Sequence, residues 1–116
     1  MPDASETALK PHVYHVLLAL AEGARHGLEI QREVARASEG AVRLWPVKLY
    51  RSLEELSGQG LIEPLDGAAH PTGESERRRY YRLLPAGRRA LMAETDRLAR
   101  LVDLARAWAT SGRGTR

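Results

Sequence analysis

The chain has 116 residues, which suits one domain with one appended element. Aromatic residues make up only 5% of it and phenylalanine is absent, so we expect an aliphatic, mostly helical core rather than a sandwich or barrel. The absence of cysteine excludes disulfide bonds and thiolate metal sites.

The sequence shows no sign of a membrane segment. The longest apolar run, residues 16–21, is far shorter than the ~20 residues needed to cross a bilayer. Residues 1–10 contain acidic side chains and lack the charged-then-apolar pattern of a signal peptide. We therefore expect a cytoplasmic protein without a membrane partner.

Apolar residues at helical spacing predict three short helices in the first half of the chain. These helices cover residues 11–22, 27–40 and 46–58, and the first and third begin with proline, which is favoured at a first helical position. Residues 41–44 leave room for no more than a bridging strand. The buried side of the third helix is expected to consist of Leu49, Leu53 and Leu56.

The second half of the chain predicts two strands and a long helix. The strands, residues 61–65 and 78–84, flank a loop rich in glycine and proline. The helix begins at a proline and covers residues 85–110.

Three helices, a hairpin and a long helix are, in this order, the elements of a winged helix-turn-helix. We therefore predict a mainly α (α+β) fold, a winged helix-turn-helix with a two-stranded wing and a long C-terminal dimerisation helix. A disordered N-terminal arm, the DNA-binding domain, the dimerisation helix and a flexible tail are expected over residues 1–8, 9–84, 85–110 and 111–116.

The third helix is the element that enters the major groove in such a fold. Its first turns carry Val47, Lys48, Tyr50 and Arg51 outside the leucine stripe, and acidic residues follow. Lys48 or Arg51 can bind guanine edges or phosphates, and the Tyr50 hydroxyl can donate to a phosphate. The alternative is an ordinary amphipathic helix with mixed charge on its solvent side.

Positive charge is concentrated at the predicted wing. Residues 77–89 contain six arginines and no acidic residue, which raises the local potential and attracts polyanions. Glu74 and Glu76 oppose this charge locally, and a solvated charged edge is the alternative. Contacts with phosphates or the minor groove are expected from Arg77, Arg78, Arg79, Tyr80 and Arg82.

The start of the second helix, at His26 and Gly27, is a further candidate for phosphate binding. A helix N-terminus offers backbone N–H groups and the positive end of a dipole. The alternative role of His26 is to cap the helix.

Neither a metal site nor a catalytic site is predicted. His12 and His15 lie three residues apart on one helical face but have no third ligand nearby in sequence. The sequence has no Gly-rich phosphate loop and no nucleophile elbow. We therefore expect no enzymatic activity and no cofactor.

The apolar stripe of the last helix is longer than one small domain can cover. Exposing it forfeits roughly 1.5–3 kcal/mol for each large side chain and invites aggregation. Packing on a second copy about a two-fold axis removes the exposure, and folding back onto the same domain is the alternative. The residues assigned to dimerisation are Leu91, Leu98, Leu101, Val102, Ala105 and Trp108.

Three stretches of the sequence resemble, in their order and spacing, the PadR family of bacterial transcriptional regulators, in particular its shorter subgroup with one C-terminal helix. They are LLALAEGARHGLEI (17–30), LYRSLEELSGQGLIE (49–63) and RRRYYRLLPAGRRAL (77–91). The resemblance covers about residues 9–108. It implies a dimeric winged-helix protein, in most members a repressor of a palindromic operator. DNA contacts are implied for Lys48, Tyr50, Arg51 and the wing arginines.

The chain departs from the family pattern at two places. Leu28 stands where the family usually has tyrosine after His-Gly, and WPVK (45–48) stands where it often has Ser-Pro-Gly-Thr. The second departure bears on base preference. In some members of the shorter subgroup an aromatic residue of the last helix stacks on a flat hydrophobic effector between subunits. Trp108 is the corresponding candidate here, and packing in the dimer seam is its alternative role.

We therefore predict a sequence-specific DNA-binding transcriptional regulator, a homodimeric repressor on a palindromic operator that a hydrophobic small molecule releases. Its partners would be double-stranded DNA, a second copy of the chain and that effector. The alternative is a winged-helix adaptor that binds a partner protein and no DNA.

Overall fold

A computed structural model describes residues 8–65 and 79–111 of the chain. The predicted arm and tail lie outside these ranges except for their residues 8 and 111, and so do the loop between the strands and the wing residues Arg77 and Arg78. The elements are α1 (Pro11–Ala19), β1 (Arg25–His26), α2 (Gly27–Ala37), α3 (Pro46–Gly58), β2 (Ile62–Leu65), β3 (Tyr80–Leu83) and α4 (Pro85–Thr110).

The predicted winged helix-turn-helix architecture is confirmed, with one addition to the sheet. The strands pair antiparallel in the order β1-β3-β2, so the two-stranded hairpin gains a short third strand beside β3. Ile62 lies opposite Leu83, and Arg25 lies opposite Tyr81. The β1 pairing attaches the start of α2 directly to the returning strand of the hairpin.

Residues 41–44, which left room for no more than a bridging strand, form no strand, and the sheet takes Arg25–His26 instead. The segment after α2 is held as a turn by Ser38. The Val42 N–H donates to the Ser38 Oγ at 2.9 Å, and the same hydroxyl lies 3.2 Å from the Val42 carbonyl oxygen. These bonds occupy the backbone of Val42 that a strand would have used.

The first helix is shorter than predicted and ends at Ala19 rather than near residue 22. The guanidinium Nε of Arg25 donates to the Ala19 carbonyl oxygen at 2.6 Å and satisfies one of the carbonyls left free at the helix end. Arg25 therefore fixes both the end of α1 and the place where β1 begins.

One aliphatic core joins the helices and the sheet. The three leucines predicted for the inner side of α3 are buried, together with residues of α1, α2, the sheet and the first turns of α4. Tyr81 is the one aromatic side chain among the buried residues of the described part. The largest fully buried side chains include Leu17, Ile30, Leu49, Leu53 and Ile62.

The backbone at the beginning of α4 packs directly against the backbone of Leu61, the residue before β2. The Leu84 N–H donates to the Leu61 carbonyl oxygen at 2.9 Å. A Cβ added at Gly87 would stand 2.0 Å from that same oxygen, so this position of α4 has room for glycine alone. This contact sets the direction in which α4 leaves the domain.

Polar contacts fix α4 against α1. Thr95 donates to the Leu91 carbonyl oxygen at 2.8 Å, so its hydroxyl accepts from Tyr14 across a distance of 2.9 Å. The buried Glu94 receives a bidentate hydrogen bond from Arg97, with a Nε–Oε1 distance of 2.8 Å. The Arg97 hydrogen bond is the main reason that the pKa of Glu94 lies below its ordinary value.

We expect Gly87→Ala to lower the free energy of unfolding by about 2–3 kcal/mol, because its methyl group would collide with backbone that cannot turn aside. Gly58→Ala is the matched control, since Gly58 is also helical and an added Cβ meets nothing within 4 Å. That change should leave stability unchanged or raise it by up to about 1 kcal/mol. Urea unfolding followed by circular dichroism measures both, and equal effects would contradict the close approach of α4.

We expect Glu94→Gln to lower the melting temperature at neutral pH and to lose this effect in acid. Because the folded-state pKa of Glu94 is lowered, its carboxylate stabilises the fold above the unfolded-state pKa. This stabilisation is lost as the pH falls through the folded-state value. The melting temperatures of both proteins should converge toward acid pH. A difference in melting temperature that stays constant with pH would show that ionisation of Glu94 does not stabilise the fold. Glu54→Gln controls for loss of an exposed charge.

Candidate nucleic-acid interface

The first turns of α3 present a fixed outward surface. Leu49, Leu53 and Leu56 are buried on one side of the helix. On the opposite side Val47, Lys48 and Arg51 are exposed. Val47 and Arg51 are four residues apart and therefore lie one above the other on the helix.

The electrostatic balance of this surface is positive at its N-terminal half. Within residues 8–65 and 79–111, no carboxylate forms an ion pair with Lys48 or Arg51. Glu54 and Glu55 are exposed further along the helix. The cations near the start of α3 are thus available to an anionic partner. The acidic side chains lie further along the helix.

Lys10, the N-cap residue of α1, adds a third cation near this surface. Burial lowers the pKa of His12, and the positive charges of Lys48 and Lys10 lower it further, whereas Glu55 raises it. His12 therefore lies near Lys48 and Glu55 of α3. Lys10 belongs to the same basic region, although its position outside the predicted helices gave no signal for it in the sequence.

The turn before α3 is anchored by α2. The Gln31 side-chain amide donates to the Leu44 carbonyl oxygen at 2.8 Å. Leu44 is itself buried, so the chain is held two residues before the helix begins at Pro46. Gln31 therefore positions the start of α3, a role that its place on the polar face of α2 did not reveal.

Tyr50 lies at the contact between α3 and α2 and does not face outward as predicted. Its hydroxyl oxygen is buried, and a Cβ at Gly27 would stand 2.5 Å from it. Tyr50 lies beside the leucine stripe in the helical spacing. Because Gly27 has no side chain, there is room for the Tyr50 ring to pack inward against α2. Phosphate contact through this hydroxyl is therefore inconsistent with the structure, and Tyr50 acts as a spacer between the two helices.

The start of α2 is closed by its own side chains. The Glu29 N–H donates to His26 Nδ1 at 3.2 Å, and the His26 N–H donates to Glu29 Oε1 at 3.0 Å, which forms a reciprocal capping box. Gly27 is buried. The predicted phosphate site at His26 and Gly27 is disfavoured, because the N–H groups of His26 and Glu29 are used internally and the Glu29 carboxylate stands beside them. The alternative role of His26, capping, is the one observed.

The described part of the wing carries fewer available cations than its sequence suggested. Arg82 forms an ion pair with Glu63, its register partner on β2. Arg79 is half-buried. Tyr80 contacts the His26 ring edge to face, with centroids 5.3 Å apart, and so braces the wing against the start of α2.

The apolar stripe of α4 divides into a covered and an uncovered part. Leu91 is 3% exposed and packs in the core of its own chain, so its assignment to dimerisation is wrong. The domain ends near Leu98, which is half-buried, and every residue from 101 to 111 is exposed. Large apolar side chains in that exposed part are Leu101, Val102, Leu104 and Trp108.

Trp108 borders a shallow depression on this exposed part of α4. The depression is lined by Leu104, Ala105, Ala107, Trp108 and Ser111. The indole is 52% exposed in the single chain. Over the described ranges no cluster of three histidine or acidic residues could hold a metal ion.

Comparison with known proteins identifies the family. Residues 16–93 match the transcriptional regulator PadR-like family. The chain belongs to this family. PadR family transcription regulators are non-enzymatic, so the matched segment, which runs from α1 into α4, is that of a regulator rather than an enzyme.

A curated relative shares part of this sequence. It is an uncharacterized 37.1 kDa protein in a transposon of Streptomyces fradiae, 38% identical over 86 residues. The match includes 74% of this chain but only 22% of that protein, so the chain spans about a fifth of the relative's length.

Solved structures of transcription regulators share the fold. A PadR family regulator from Clostridium difficile superposes with a TM-score of 0.69 at 19% identity, covering 86% of this chain and 99% of that one. A transcriptional regulator from Clostridium thermocellum gives 0.65 at 22% identity, with 83% and 90% covered. A MarR family regulator from Neisseria meningitidis gives 0.57 at 25% identity, with 93% and 68% covered. Among the described helices none has the length and hydropathy of a membrane span.

Proposed function

We propose that this PadR-like protein is a sequence-specific DNA-binding transcriptional regulator that represses as a homodimer on a palindromic operator. The observation that carries the proposal is the outward surface of α3, where Lys48 and Arg51 are exposed and unpaired among the described residues. Its family membership supports the same function.

The first turns of α3 would enter the major groove. Arg51 is suited to a bidentate contact with a guanine, and Lys48 to a guanine or a phosphate. Lys10 adds a phosphate contact from the start of α1. Acidic residues at the far end of α3 keep that end away from the duplex.

The wing would lie along the DNA backbone and supply contacts from Arg77, Arg78 and Arg79. These contacts fix register and make affinity depend on salt, but they do not read sequence. Tyr50, Tyr80, His26 and Gly27 act indirectly in this proposal, since they hold α2, α3 and the wing in one arrangement.

Dimerisation through α4 accounts for its exposed apolar stripe. The half-exposed side chains Leu101, Val102 and Trp108 would gain burial against the partner, each a part of the roughly 1.5–3 kcal/mol that full burial contributes. Leu18 of α1 is also exposed and offers an apolar surface for the partner's helix. Two-fold symmetry would place the two recognition helices about 34 Å apart, one turn of DNA.

A hydrophobic effector is proposed for the depression beside Trp108. Its lining is apolar except for Ser111, and an exposed indole offers a flat surface for stacking. A planar hydrophobic molecule bound there would lie at the dimer seam, where it can change the angle between the two DNA-binding domains.

We expect the purified protein to bind the DNA upstream of its own gene, with an affinity that falls steeply as salt rises. Arg51→Ala should weaken binding roughly 10- to 100-fold, because the lost contact is worth about 1–3 kcal/mol. Fluorescence anisotropy measures both effects.

The control is Arg100→Ala, which removes the same side chain from an exposed position on α4. It should bind DNA as the wild type does. Normal binding by Arg51→Ala would refute the assignment of α3. No DNA binding at low salt would favour the adaptor that contacts a protein partner.

We expect Leu101→Glu to convert the dimer into single chains, because it would bury a carboxylate in an apolar seam. Met92→Glu is matched to it, since Met92 is 50% exposed and Leu101 49%, on different sides of the same helix. Met92→Glu should remain dimeric. Sedimentation velocity at micromolar concentration gives the two masses, and a monomeric wild type would end the dimer proposal.

We expect planar hydrophobic compounds to quench the fluorescence of Trp108. Trp45 is the second tryptophan of the chain, so the measurement uses Trp45→Phe to leave one indole signal. Quenching that saturates, and that disappears in Leu104→Glu, supports the site. If compounds that release the protein from DNA leave the Trp108 fluorescence unchanged, the effector site lies elsewhere in the protein.

A further inference from the structure

Two large apolar side chains stand in water at the start of α3. Val47 is 72% exposed and Trp45 is 69% exposed, the two highest values among the exposed large hydrophobic residues described. Neither helps the helix to form. Trp45 occupies the N-cap without a capping hydrogen bond, and valine is a poorer helix former than most residues.

Val47 lies near the centre of the outward side of α3. Leu49, Leu53 and Leu56 mark the centre of the buried side, and Val47 stands on the opposite side one turn before Arg51. An isopropyl group thus stands beside the cations Lys48 and Arg51, where a polar side chain would satisfy water better.

The charges around Val47 restrict what can cover it. An apolar protein surface would have to bury Lys48 and Arg51 without a partner, at a high desolvation cost. The major groove of DNA offers phosphates to the cations and one apolar group among the base edges, the C5 methyl of thymine. The combination of two cations with an exposed apolar tip matches that groove.

We propose that Val47 and Trp45 form a thymine-reading tip, in which Val47 contacts a thymine C5 methyl in each half-site and Trp45 covers the adjoining sugar. This inference rests on the proposed function and adds to it the feature of the base that is recognised. Arg51, one helical turn further on, reads the neighbouring guanine.

The test uses the DNA fragment that footprinting finds protected, with its thymines replaced one position at a time by deoxyuridine. This exchange removes only the C5 methyl and keeps the base pair. At one position per half-site, affinity should fall roughly four-fold for each thymine replaced, the value of about one buried methyl group.

Val47→Ala should bind the original DNA with the affinity that the wild type has for the uracil version, and it should no longer respond to the exchange. Its folding is not at risk, because the site is exposed and alanine favours helix. Met92→Ala, which trims an exposed apolar side chain of α4, should keep the full response.

Trp45→Asn separates DNA contact from folding. Asparagine is a strong N-cap, so this variant should melt at a higher temperature. It should nevertheless bind the operator more weakly. Unchanged or tighter binding would remove Trp45 from the tip.

The two proposals fail in different ways. Binding that depends on salt and on Arg51 but is indifferent to uracil at every position overturns the thymine contact and leaves the regulator intact. A uracil response that persists in Val47→Ala also overturns it. Absence of any protected DNA overturns both.

Discussion

The burial of three leucines along one side of α3 is the constraint on which the rest of the interface depends. Leu49 and Leu53 are completely buried, so the helix cannot rotate about its axis without exposing them. That restriction determines which residues face out. Gln31 and Tyr50 then limit sliding and tilting, because one holds the preceding turn and the other fills the space above Gly27. An aliphatic core thus sets the orientation of the charged side chains.

α4 has two parts that do different work. Its first turns belong to the domain, where Leu91 is in the core and the Leu61 carbonyl passes close to Gly87. Its last turns project from the domain with their apolar side chains uncovered. The bidentate Arg97–Glu94 pair lies where the first part ends. Any partner that packs on the last turns is therefore connected to the winged-helix domain by one continuous helix whose first turns are anchored in the core.

Periodicity in the sequence predicted the helices, the hairpin and their order well, because each has a strong apolar pattern bounded by proline or glycine. It could not predict β1, a strand of two residues whose existence depends on pairing with β3. Side-chain roles were harder to predict. Tyr50 and Leu91 stand at the edges of their stripes, and only tertiary packing draws them inward. The cap at His26 was an open alternative that hydrogen-bond geometry decided. Lys10 lay outside every apolar pattern and passed unnoticed, and Trp45 was noted only as a departure from the family pattern.

The pairing of β1 with β3 couples the start of α2 to the wing, which bears on the proposed binding of operators. Arg25–His26 connects the turn between the first two helices to the strand that returns from the wing, and Tyr80 contacts His26 edge to face at the same place. The start of α2 and the wing are thereby held in one fixed arrangement within a protomer. Under the proposed function their reach along the duplex would be constant, and tolerance to spacers of unequal length would have to come from the contact between protomers.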